Sequence, residues 1–395
     1  MTTAATELPP LTPDEAVHSA RLVERIRAVI EAEGGWIDFA RYMTLALYEP
    51  GLGYYSAGAL KFGAAGDFIT APEVAPVFSR CLAVQCAEVL HELGDAGVLL
   101  ELGAGSGAMA ATLLAELERL GHLPAEYWIL DLSADLRERQ RATLAAAVPH
   151  LLERVRWLER LPDQSWVGMI LANEVLDALA VERFAIRGGG VNALGVAVDF
   201  GRLQLAEVRA NASLRAAVRH IEADLGAPLP DGYESEVNPS LGSWLAALAE
   251  GLERGLLLFV DYGLPRREYY SPERTQGTLL CHFRHRFHDD ALDRVGLQDI
   301  TAWVDFTAVA EAAQACGLDV AGYTTQAHFL IGCGLGEFVA DVGDLELVER
   351  VNLSRQAMLL TLPGEMGERF KVIALAKGYE APLRGFAVRD LRRAL

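Results

Sequence analysis

The stretch LLELGAGSG, residues 99–107, decides the fold. Its first half is an apolar run typical of a buried strand, and its second half has glycine at alternate positions, Gly103, Gly105 and Gly107. Glycine has no Cβ, so the chain can turn sharply here and its backbone can approach a ligand closely. A helix is predicted over residues 108–120, and its first N–H groups would point into the turn.

Strand and helix patterns alternate along the chain after this turn. Short apolar runs that end in polar residues are followed by stretches with helical spacing. Such alternation predicts a parallel sheet covered by helices, which is an α/β fold. The further strands expected are 126–133, 155–157, 168–179, 181–187 and 257–263, with a helix over 134–147.

The length suggests more than one structural part. The chain has 395 residues, of which 51% are hydrophobic, so it can bury a large core. We expect residues 1–92 to form an N-terminal extension of helices and loops that covers the ligand site. Residues 93–395 are expected to form the α/β core, with insertions on the substrate side at about 188–240 and 265–306.

The charge balance excludes some partners. There are 35 Lys and Arg residues against 54 Asp and Glu residues, a formal net charge of −19. Nucleic-acid-binding proteins usually carry a basic surface that neutralises phosphates, so no nucleic-acid partner is predicted. No apolar run approaches the ~18 residues of a membrane span. A homodimer stays open.

The cysteines and the first residues bear on location. The five cysteines are odd in number and form no C-x-x-C pair, which favours free thiols in a reducing compartment. Glu7, Asp14 and Glu15 come early, unlike the Arg-rich, acid-poor start of a transit peptide. A cytoplasmic location is therefore predicted.

Polar residues at three strand ends indicate the ligand. Glu101 precedes the first glycine by two residues, where a carboxylate would repel a pyrophosphate but attract an ammonium group. Asp131, at the end of the next strand, can accept hydrogen bonds from both hydroxyls of a ribose. Asn173 and Glu174 end a further strand, at the edge where open α/β sheets bind ligands. A ligand with a ribose, an ammonium group and no phosphate fits, and S-adenosylmethionine is such a ligand.

Other interpretations stay open on the residues alone. Gly103, Gly105 and Ala108 also satisfy the dinucleotide pattern G-x-G-x-x-A, so a dehydrogenase that uses NAD(P) is an alternative. Each acid taken singly could be a solvated loop carboxylate. Three histidines in CHFRHRFHDD, residues 281–290, would align on one face of a helix. Arginines interleave with them, which disfavours a dication, and no metal is predicted.

Several longer motifs carry a resemblance to a known family. From about residue 20 to 376 the chain resembles the MidA family of S-adenosylmethionine-dependent methyltransferases. The resemblance implies a class I core, seven-stranded and Rossmann-like, with an N-terminal helical extension and substrate-side insertions. Mitochondrial members of the family assist respiratory complex I assembly by methylating a protein arginine. The motifs are GDFITAPEVAPVF (66–78), ELGAGSG (101–107), YWILDLSADLRERQ (127–140), ILANEVLDALAVERF (170–184), FVDYG (259–263) and LQDITAWVDF (297–306).

The resemblance also implies roles for residues around the cofactor. The glycines would wrap its methionine part, and Glu101 would anchor that loop and bind the amino group. Asp131 would hold the ribose, and residues before the first core strand would cover the cofactor. Asn173 would lie beside the transferred methyl. The cofactor-binding residues expected are Asp67, Thr70, Glu101, Gly103, Gly105, Gly107, Asp131 and Asn173.

Two carboxylates are expected to act on the methyl acceptor. A guanidinium stays protonated in water, with a pKa above about 12, so carboxylates must orient it, and a bidentate pair suits this task. Glu174 is the first candidate and Asp177, three residues later, is the second. Glu182 is a further carboxylate nearby in the sequence, and a structural role as a cap is an equal alternative for it and for Asp177.

The expected function is thus methyl transfer from S-adenosylmethionine, with S-adenosylhomocysteine as product, to an arginine of a protein substrate. Two alternatives share the cofactor motifs. One is a methyltransferase with a small-molecule acceptor, and the other is an assembly factor that binds the cofactor without catalysis.

Overall fold

A computed structural model describes residues 8–57, 71–131, 133–341 and 346–395. These residues divide into two compact units. Residues 71–92, which the sequence analysis placed with the N-terminal extension, belong to unit 2. Unit 1 combines the earlier part of the chain with two later segments, and the predicted insertions make up most of those two segments. That the extension covers the ligand site stays a prediction. The described parts of unit 1 lie within 8–57, 177–241 and 266–303, and those of unit 2 within 71–176, 242–265 and 304–395.

The strands of both units range from two residues to thirteen, and the longest is β10 in unit 2. They are β1 (Trp36–Asp38), β2 (Val98–Leu102), β3 (Tyr127–Leu130), β4 (Val155–Leu158), β5 (Trp166–Asn173), β6 (Glu182–Arg187), β7 (Gly190–Asp199), β8 (Arg202–Arg209), β9 (Glu234–Val237), β10 (Leu252–Leu264), β11 (Leu280–Phe283), β12 (Arg286–His288), β13 (Asp299–Thr301), β14 (Val304–Asp305), β15 (Asp319–Thr325) and β16 (Phe370–Lys377).

Within the described residues, no helix is both long enough and apolar enough to cross a membrane. Short 3-10 helices cover Pro149–Arg154, Arg384–Phe386 and Arg392–Ala394. The α-helices are α1 (Pro13–Ala32), α2 (Phe39–Tyr48), α3 (Ala71–Val74), α4 (Pro76–Leu93), α5 (Ala108–Leu120), α6 (Ala134–Ala147), α7 (Ala212–Leu225), α8 (Leu241–Glu250), α9 (Arg266–Tyr269), α10 (Phe306–Ala315), α11 (Gln326–Gly332), α12 (Leu335–Ala340), α13 (Leu347–Thr361) and α14 (Met366–Arg369).

Unit 2 is built on one large sheet with the strand order β15-β16-β10-β5-β2-β3-β4, and β14 pairs with the end of β10. The strands from β10 to β4 are parallel, whereas β16 is antiparallel to both of its neighbours. The predicted α/β fold is confirmed. The chain proceeds from β2 to β3 and β4 on one side and then continues at β5 on the other. Open sheets bind ligands where the strand order reverses in this way.

The sequence of β2 explains its central place. All five residues of this strand, VLLEL, are buried, as is typical of a parallel strand covered on both faces. The helices α4 and α5 present apolar residues to the same cluster, including Phe78, Leu82, Leu113 and Leu117. The core of unit 2 therefore surrounds the strand that leads into the glycine turn.

Unit 1 has a separate core and antiparallel pairing. Its larger sheet has the order β1-β7-β6-β9, with β8 paired to β7. Residues 181–187, predicted as a strand of the parallel sheet, are instead β6 of this sheet, so that prediction is wrong. The cause is local: Gly188 and Gly189, with φ of 56° and 75°, form the two-residue turn that joins β6 to its antiparallel neighbour β7. Positive φ at both turn positions is typical of such hairpins.

The histidine-rich stretch also forms a hairpin. The strands β11 and β12 pair in antiparallel fashion, and Arg284 and His285, with φ of 48° and 60°, form the turn between them. The helical spacing considered for these histidines is therefore wrong. Burial, and then the charge of His288, lowers the pKa of His282 to about 4. Within the described residues there is no group of three His, Cys, Asp or Glu side chains arranged for a metal ion.

Candidate active site

The glycine turn joins the end of β2 to the start of α5 in unit 2. Gly103, Gly105 and Gly107 all have positive φ, at 65°, 53° and 85°, which other residues adopt only with strain. Gly107 is the N-cap of α5, and a Cβ there would lie 3.0 Å from the Cα of Gln140. The turn therefore needs glycine for its conformation and, at Gly107, for close packing against α6.

Glu101 is a buried carboxylate with one oxygen left over. The residue is 0% exposed, and the hydroxyl of Tyr127 donates to its Oε2 over 2.6 Å. Among the described residues, Oε1 has no hydrogen-bond partner. Burial raises the pKa of Glu101 to about 7; the hydrogen bond from Tyr127 lowers it, and the charge of Asp131 raises it. A cationic donor at Oε1 would complete this site, because buried polar groups are normally hydrogen-bonded.

Asp131 follows β3 and is held in place through both of its oxygens. It is 8% exposed; Oδ1 accepts from the backbone N–H of Ser133 over 2.9 Å, and Oδ2 accepts from Nε2 of Gln140 over 2.8 Å. A carboxylate offers about four lone-pair sites, so it can also accept from the two hydroxyls of a ribose.

Gln140, a residue that the sequence analysis did not single out, connects three parts of this region. Besides Asp131, its Nε2 donates to the carbonyl of Gly105 over 3.1 Å, and its Oε1 accepts from Nε1 of Trp157 over 3.0 Å. The residue is fully buried. The signal in the sequence was a polar residue on the buried face of α6, next to Leu136 and Leu144.

Asn173 and Glu174 lie at the carboxyl end of β5, the strand beside β2. Glu174 has a positive φ of 53°, uncommon for a residue with a side chain, and its N–H donates to the carbonyl of Val260 over 2.9 Å. The amide of Asn173 donates to Oε1 of Glu174 over 2.9 Å, while its own Oδ1 has no partner among the described residues. The strained backbone sets the direction in which Glu174 leaves the strand.

Asp261, at the end of β10, was also missed by the sequence analysis. It is 1% exposed, and its Oδ2 accepts from the N–H groups of Val175 and Leu176 over 3.1 and 2.8 Å. Its Oδ1 accepts from the N–H of Tyr262 over 2.9 Å. This carboxylate thus fixes the backbone just after Glu174. The motif FVDYG was quoted for the resemblance, but nothing in it showed which backbone the acid would hold.

The second predicted catalytic residue, Asp177, belongs to unit 1. It is buried, and its carbonyl accepts from the N–H of Ala302 over 3.0 Å. The surrounding polar cluster contains Tyr55, whose hydroxyl lies 2.9 Å from both carboxylate oxygens of Asp299. Burial, and then the charge of Asp299, raises the pKa of Tyr55 well above its usual value. Tyr48 stacks on Tyr55 with ring centroids 5.5 Å apart.

Three further residues named in the sequence analysis remain. Asp67 and Thr70, expected to cover the cofactor, lie outside the described residues. Glu182 begins β6 in unit 1. Burial, and then the charge of Asp38, raises the pKa of the Glu182 carboxyl.

The strand ends of unit 2 fit a ligand with an ammonium group and a ribose. The strands β5, β2 and β3 are neighbours in the sheet, so Asn173, Glu101 and Asp131 lie at or near the same edge. Two of these three residues keep a buried acceptor oxygen without a partner among the described residues, and the third can still accept. This edge therefore offers buried acceptors for hydrogen-bond donors, beside a turn of positive-φ glycines.

Residues 81–324 match the model of a protein family described as "Putative S-adenosyl-L-methionine-dependent methyltransferase". The chain belongs to this family. The resemblance found in the sequence and the predicted cofactor are confirmed, and the dehydrogenase alternative is set aside. The protein is an S-adenosylmethionine-dependent methyltransferase.

Solved structures and curated relatives agree with this membership. A structure from Burkholderia thailandensis bound to S-adenosyl-homocysteine is 41% identical, has a TM-score of 0.93, and the match covers 98% of this chain and 100% of that chain. The "Protein arginine methyltransferase NDUFAF7 homolog, mitochondrial" of Drosophila melanogaster is 28% identical over 93% of this chain and 88% of its own length. The human "Protein arginine methyltransferase NDUFAF7, mitochondrial" is 28% identical, and the match covers 86% of this chain and 80% of that protein.

The same relatives correct one prediction. They are named as mitochondrial proteins, so the predicted cytoplasmic location is wrong by this comparison. The features behind that prediction were free cysteines and early acidic residues. Free cysteines fit any reducing compartment, so they do not single out the cytoplasm.

Proposed function

We propose that this methyltransferase acts on an arginine side chain of a protein substrate. The observation that carries the proposal is the carboxylate of Glu174, which follows β5 in a strained conformation beside Asn173. A carboxylate there can pair with a cationic guanidinium and turn it so that one nitrogen faces the methyl group. The curated relatives are named as protein arginine methyltransferases, which supports the same acceptor.

Each residue at the strand ends of unit 2 has an assigned role. Glu101 accepts from the amino group of the cofactor, and Asp131 accepts from its ribose hydroxyls. The turn of Gly103, Gly105 and Gly107 lies against its methionine part. These contacts orient the cofactor along the edge of the sheet.

Glu174 is assigned to the acceptor and Asn173 to the region of the transferred methyl. When bound, S-adenosylmethionine supplies a methyl group on a sulfonium, so the protein mainly has to align the acceptor and exclude water. Asn173 holds the carboxylate of Glu174 by its amide, and Asp261 fixes the backbone that follows. Asp177 is assigned as a second carboxylate for the acceptor, and Asp67 and Thr70 as cover for the cofactor.

We also assign unit 2 to the class I, Rossmann-like methyltransferase architecture. The support is its path of parallel strands with an antiparallel β16 between β10 and β15. In this assignment the segments at about 188–240 and 265–306 are the substrate-side insertions. The acidic composition, with a net charge of −19, suits an arginine-containing partner, because opposite charges favour association.

The acceptor can be tested directly by labelling. The purified protein is incubated with radiolabelled S-adenosylmethionine and a lysate from cells that lack it, and labelled proteins are separated and hydrolysed. The proposal expects one labelled protein that yields methylarginine. Label found in the small-molecule fraction would support the small-molecule alternative instead.

The role of Glu174 is tested with a matched pair of variants. Glu174→Gln keeps the shape of the side chain but removes its charge, and is expected to lower labelling about a hundredfold or more. Its affinity for S-adenosylhomocysteine should stay within about threefold of wild type by calorimetry. Glu159→Gln, at a carboxylate whose side chain is 80% exposed, is the control and should label normally. Full labelling by Glu174→Gln would overturn the assignment.

A further inference from the structure

We propose that Tyr127 is a positioning residue for the amino-acid end of the cofactor: its hydroxyl holds Glu101 so that Oε1 is presented to the ammonium group. The proposal rests on the assignment of Glu101 to the cofactor amino group. It adds a residue that does not itself touch the ligand but decides how well Glu101 binds it.

The geometry fixes the direction of the Glu101 side chain. Tyr127 is the first residue of β3, and it pairs with Leu99 of β2. Glu101 lies two residues further along β2 and pairs with Ile129. The hydroxyl of Tyr127 reaches Oε2 of Glu101 over 2.6 Å. Among the described residues no other group donates to this carboxylate. Oε2 already accepts this hydrogen bond, whereas Oε1 accepts none among the described residues, so Oε1 can offer all of its acceptor capacity to an ammonium group.

The hydrogen bond from Tyr127 is the interaction that favours the charged form of Glu101. Besides Tyr127 on β3, the titratable groups facing it are Asp131, after β3, and Cys86, on α4. Burial and the charge of Asp131 raise the pKa of Glu101, and Tyr127 lowers it. Burial, followed by the charge of Glu101, raises the pKa of Tyr127 well above its usual value, so the phenol stays protonated and can only donate here. Tyr127 therefore favours the charged form that an ammonium group requires.

A structural role for the same tyrosine predicts different behaviour. Tyr127 is 0% exposed and belongs to the core of unit 2, so its ring also fills space there. Tyr127→Phe keeps the ring and removes only the hydroxyl. If the hydroxyl only supported the core, its loss would affect all ligands of the site alike. If it positions Glu101, only ligands with an ammonium group should be affected.

Two ligands separate these cases. S-adenosylhomocysteine carries the ammonium group, whereas 5′-methylthioadenosine shares its nucleoside and sulfur but lacks the amino acid. By calorimetry at pH 7.5, Tyr127→Phe should bind S-adenosylhomocysteine about tenfold more weakly, the effect of one hydrogen bond to a charged group. Its affinity for 5′-methylthioadenosine should stay within about twofold. Tyr233→Phe, at a buried tyrosine of unit 1 whose hydroxyl donates to the carbonyl of Ser271, is the control.

The pH dependence gives a second readout. In the wild type, affinity for S-adenosylhomocysteine should fall as the pH drops below about 7, where Glu101 takes up a proton. In Tyr127→Phe the fall should begin at a higher pH, because the interaction that lowers the pKa is gone. In Glu101→Gln the dependence should disappear.

Each other outcome has a distinct meaning. Equal weakening of both ligands by Tyr127→Phe, or no weakening of either, overturns the role of Tyr127 while leaving Glu101 in place. If Glu101→Gln keeps the full preference for S-adenosylhomocysteine over 5′-methylthioadenosine, the assignment of Glu101 fails and the inference fails with it.

Discussion

Glu101 and Asp261 are two carboxylates of unit 2 with nearly the same burial, at 0% and 1% exposure, and with opposite surroundings. Asp261, at the end of β10, accepts from three backbone N–H groups on two segments of the chain. Glu101, at the end of β2, accepts from one tyrosine and keeps an oxygen without a partner among the described residues.

The contrast is between a carboxylate that backbone N–H groups hold on both oxygens and one that still has an oxygen available to a ligand. A buried carboxylate is costly unless hydrogen bonds replace its lost water. Asp261 has these bonds from the chain itself, so its charge stabilises the backbone around Glu174. Glu101 has too few, and a cation from outside would supply the rest. Burial alone therefore does not distinguish a structural acid from a functional one, whereas the count of its donors does.

The largest effect is expected at Asp261. Asp261→Ala leaves buried N–H groups without an acceptor and should lower the free energy of unfolding by about 3–5 kcal/mol, measured by urea denaturation. Asp163→Ala, at an exposed acid paired with Arg160, should change it by less than about 0.5 kcal/mol. Equal, small effects of the two variants would contradict the structural role.

Glu101→Gln should act in the opposite direction on the unliganded protein. Burial raises the pKa of this carboxyl from 4.5 to about 7, so above pH 7 the folded state carries a charge that the unfolded state holds more easily. Removing the charge should raise the free energy of unfolding at pH 8 by about 3 kcal/mol, at about 1.4 kcal/mol per pKa unit.

The gain should shrink as the pH falls from 7 and vanish below about 4.5, because Glu101 is then protonated in both states. Urea denaturation at pH 8 and at pH 5 checks the sign and the trend. The same variant should bind S-adenosylhomocysteine more weakly. If Glu101→Gln instead lowers the free energy of unfolding at pH 8, the charge of Glu101 must be stabilised by its surroundings. Glu101 and Asp261 would then both be structural carboxylates.

Asp131→Ala should weaken both S-adenosylhomocysteine and 5′-methylthioadenosine. The ribose is common to the two ligands, and the loss of hydrogen bonds to a charged group corresponds to about thirtyfold. Calorimetry with both ligands checks this. Glu101→Gln provides the comparison, since it should affect only the ligand with an ammonium group. Weakening of S-adenosylhomocysteine alone by Asp131→Ala would contradict the assignment to the ribose.

The smallest effect is expected from a pair of glycines at the two ends of α5. Gly107 and Gly121 have φ of 85° and 76°, so alanine at either should cost about 1–2 kcal/mol. At Gly107 the added Cβ would also lie 3.0 Å from the Cα of Gln140, whereas at Gly121 nothing lies within 4 Å. Gly107→Ala should therefore be the more destabilising in urea and should weaken S-adenosylhomocysteine binding, unlike Gly121→Ala. Equal behaviour would show that the contact with Gln140 is easily relieved.

The sequence predicted the features that depend on local pattern. The glycine turn, the acids at the strand ends and the α/β alternation follow from spacing and from residues close in the chain. The same reasoning placed Glu101 and Asp131 at one edge, because parallel strands end on the same side of a sheet.

What the sequence did not predict depends on pairing between distant segments. The contact of Tyr127 with Glu101 follows from the register of β3 against β2, and that of Asp261 from the pairing of β10 with β5. Neither strand register can be deduced from a single amino-acid sequence. Residues 181–187 were assigned to the wrong sheet for a related reason, since an apolar strand pattern does not reveal whether its partner is parallel or antiparallel.

The side chain of Gln140 has a consequence for how the site responds to its ligand. This one amide group joins Asp131, which we assign to the ribose, to the glycine turn and to β4, so displacement of any one of these strains the other two. Occupancy at the sugar end should therefore pre-order the loop that meets the amino-acid end, and adenosine and methionine, offered as separate fragments, should bind with positive cooperativity.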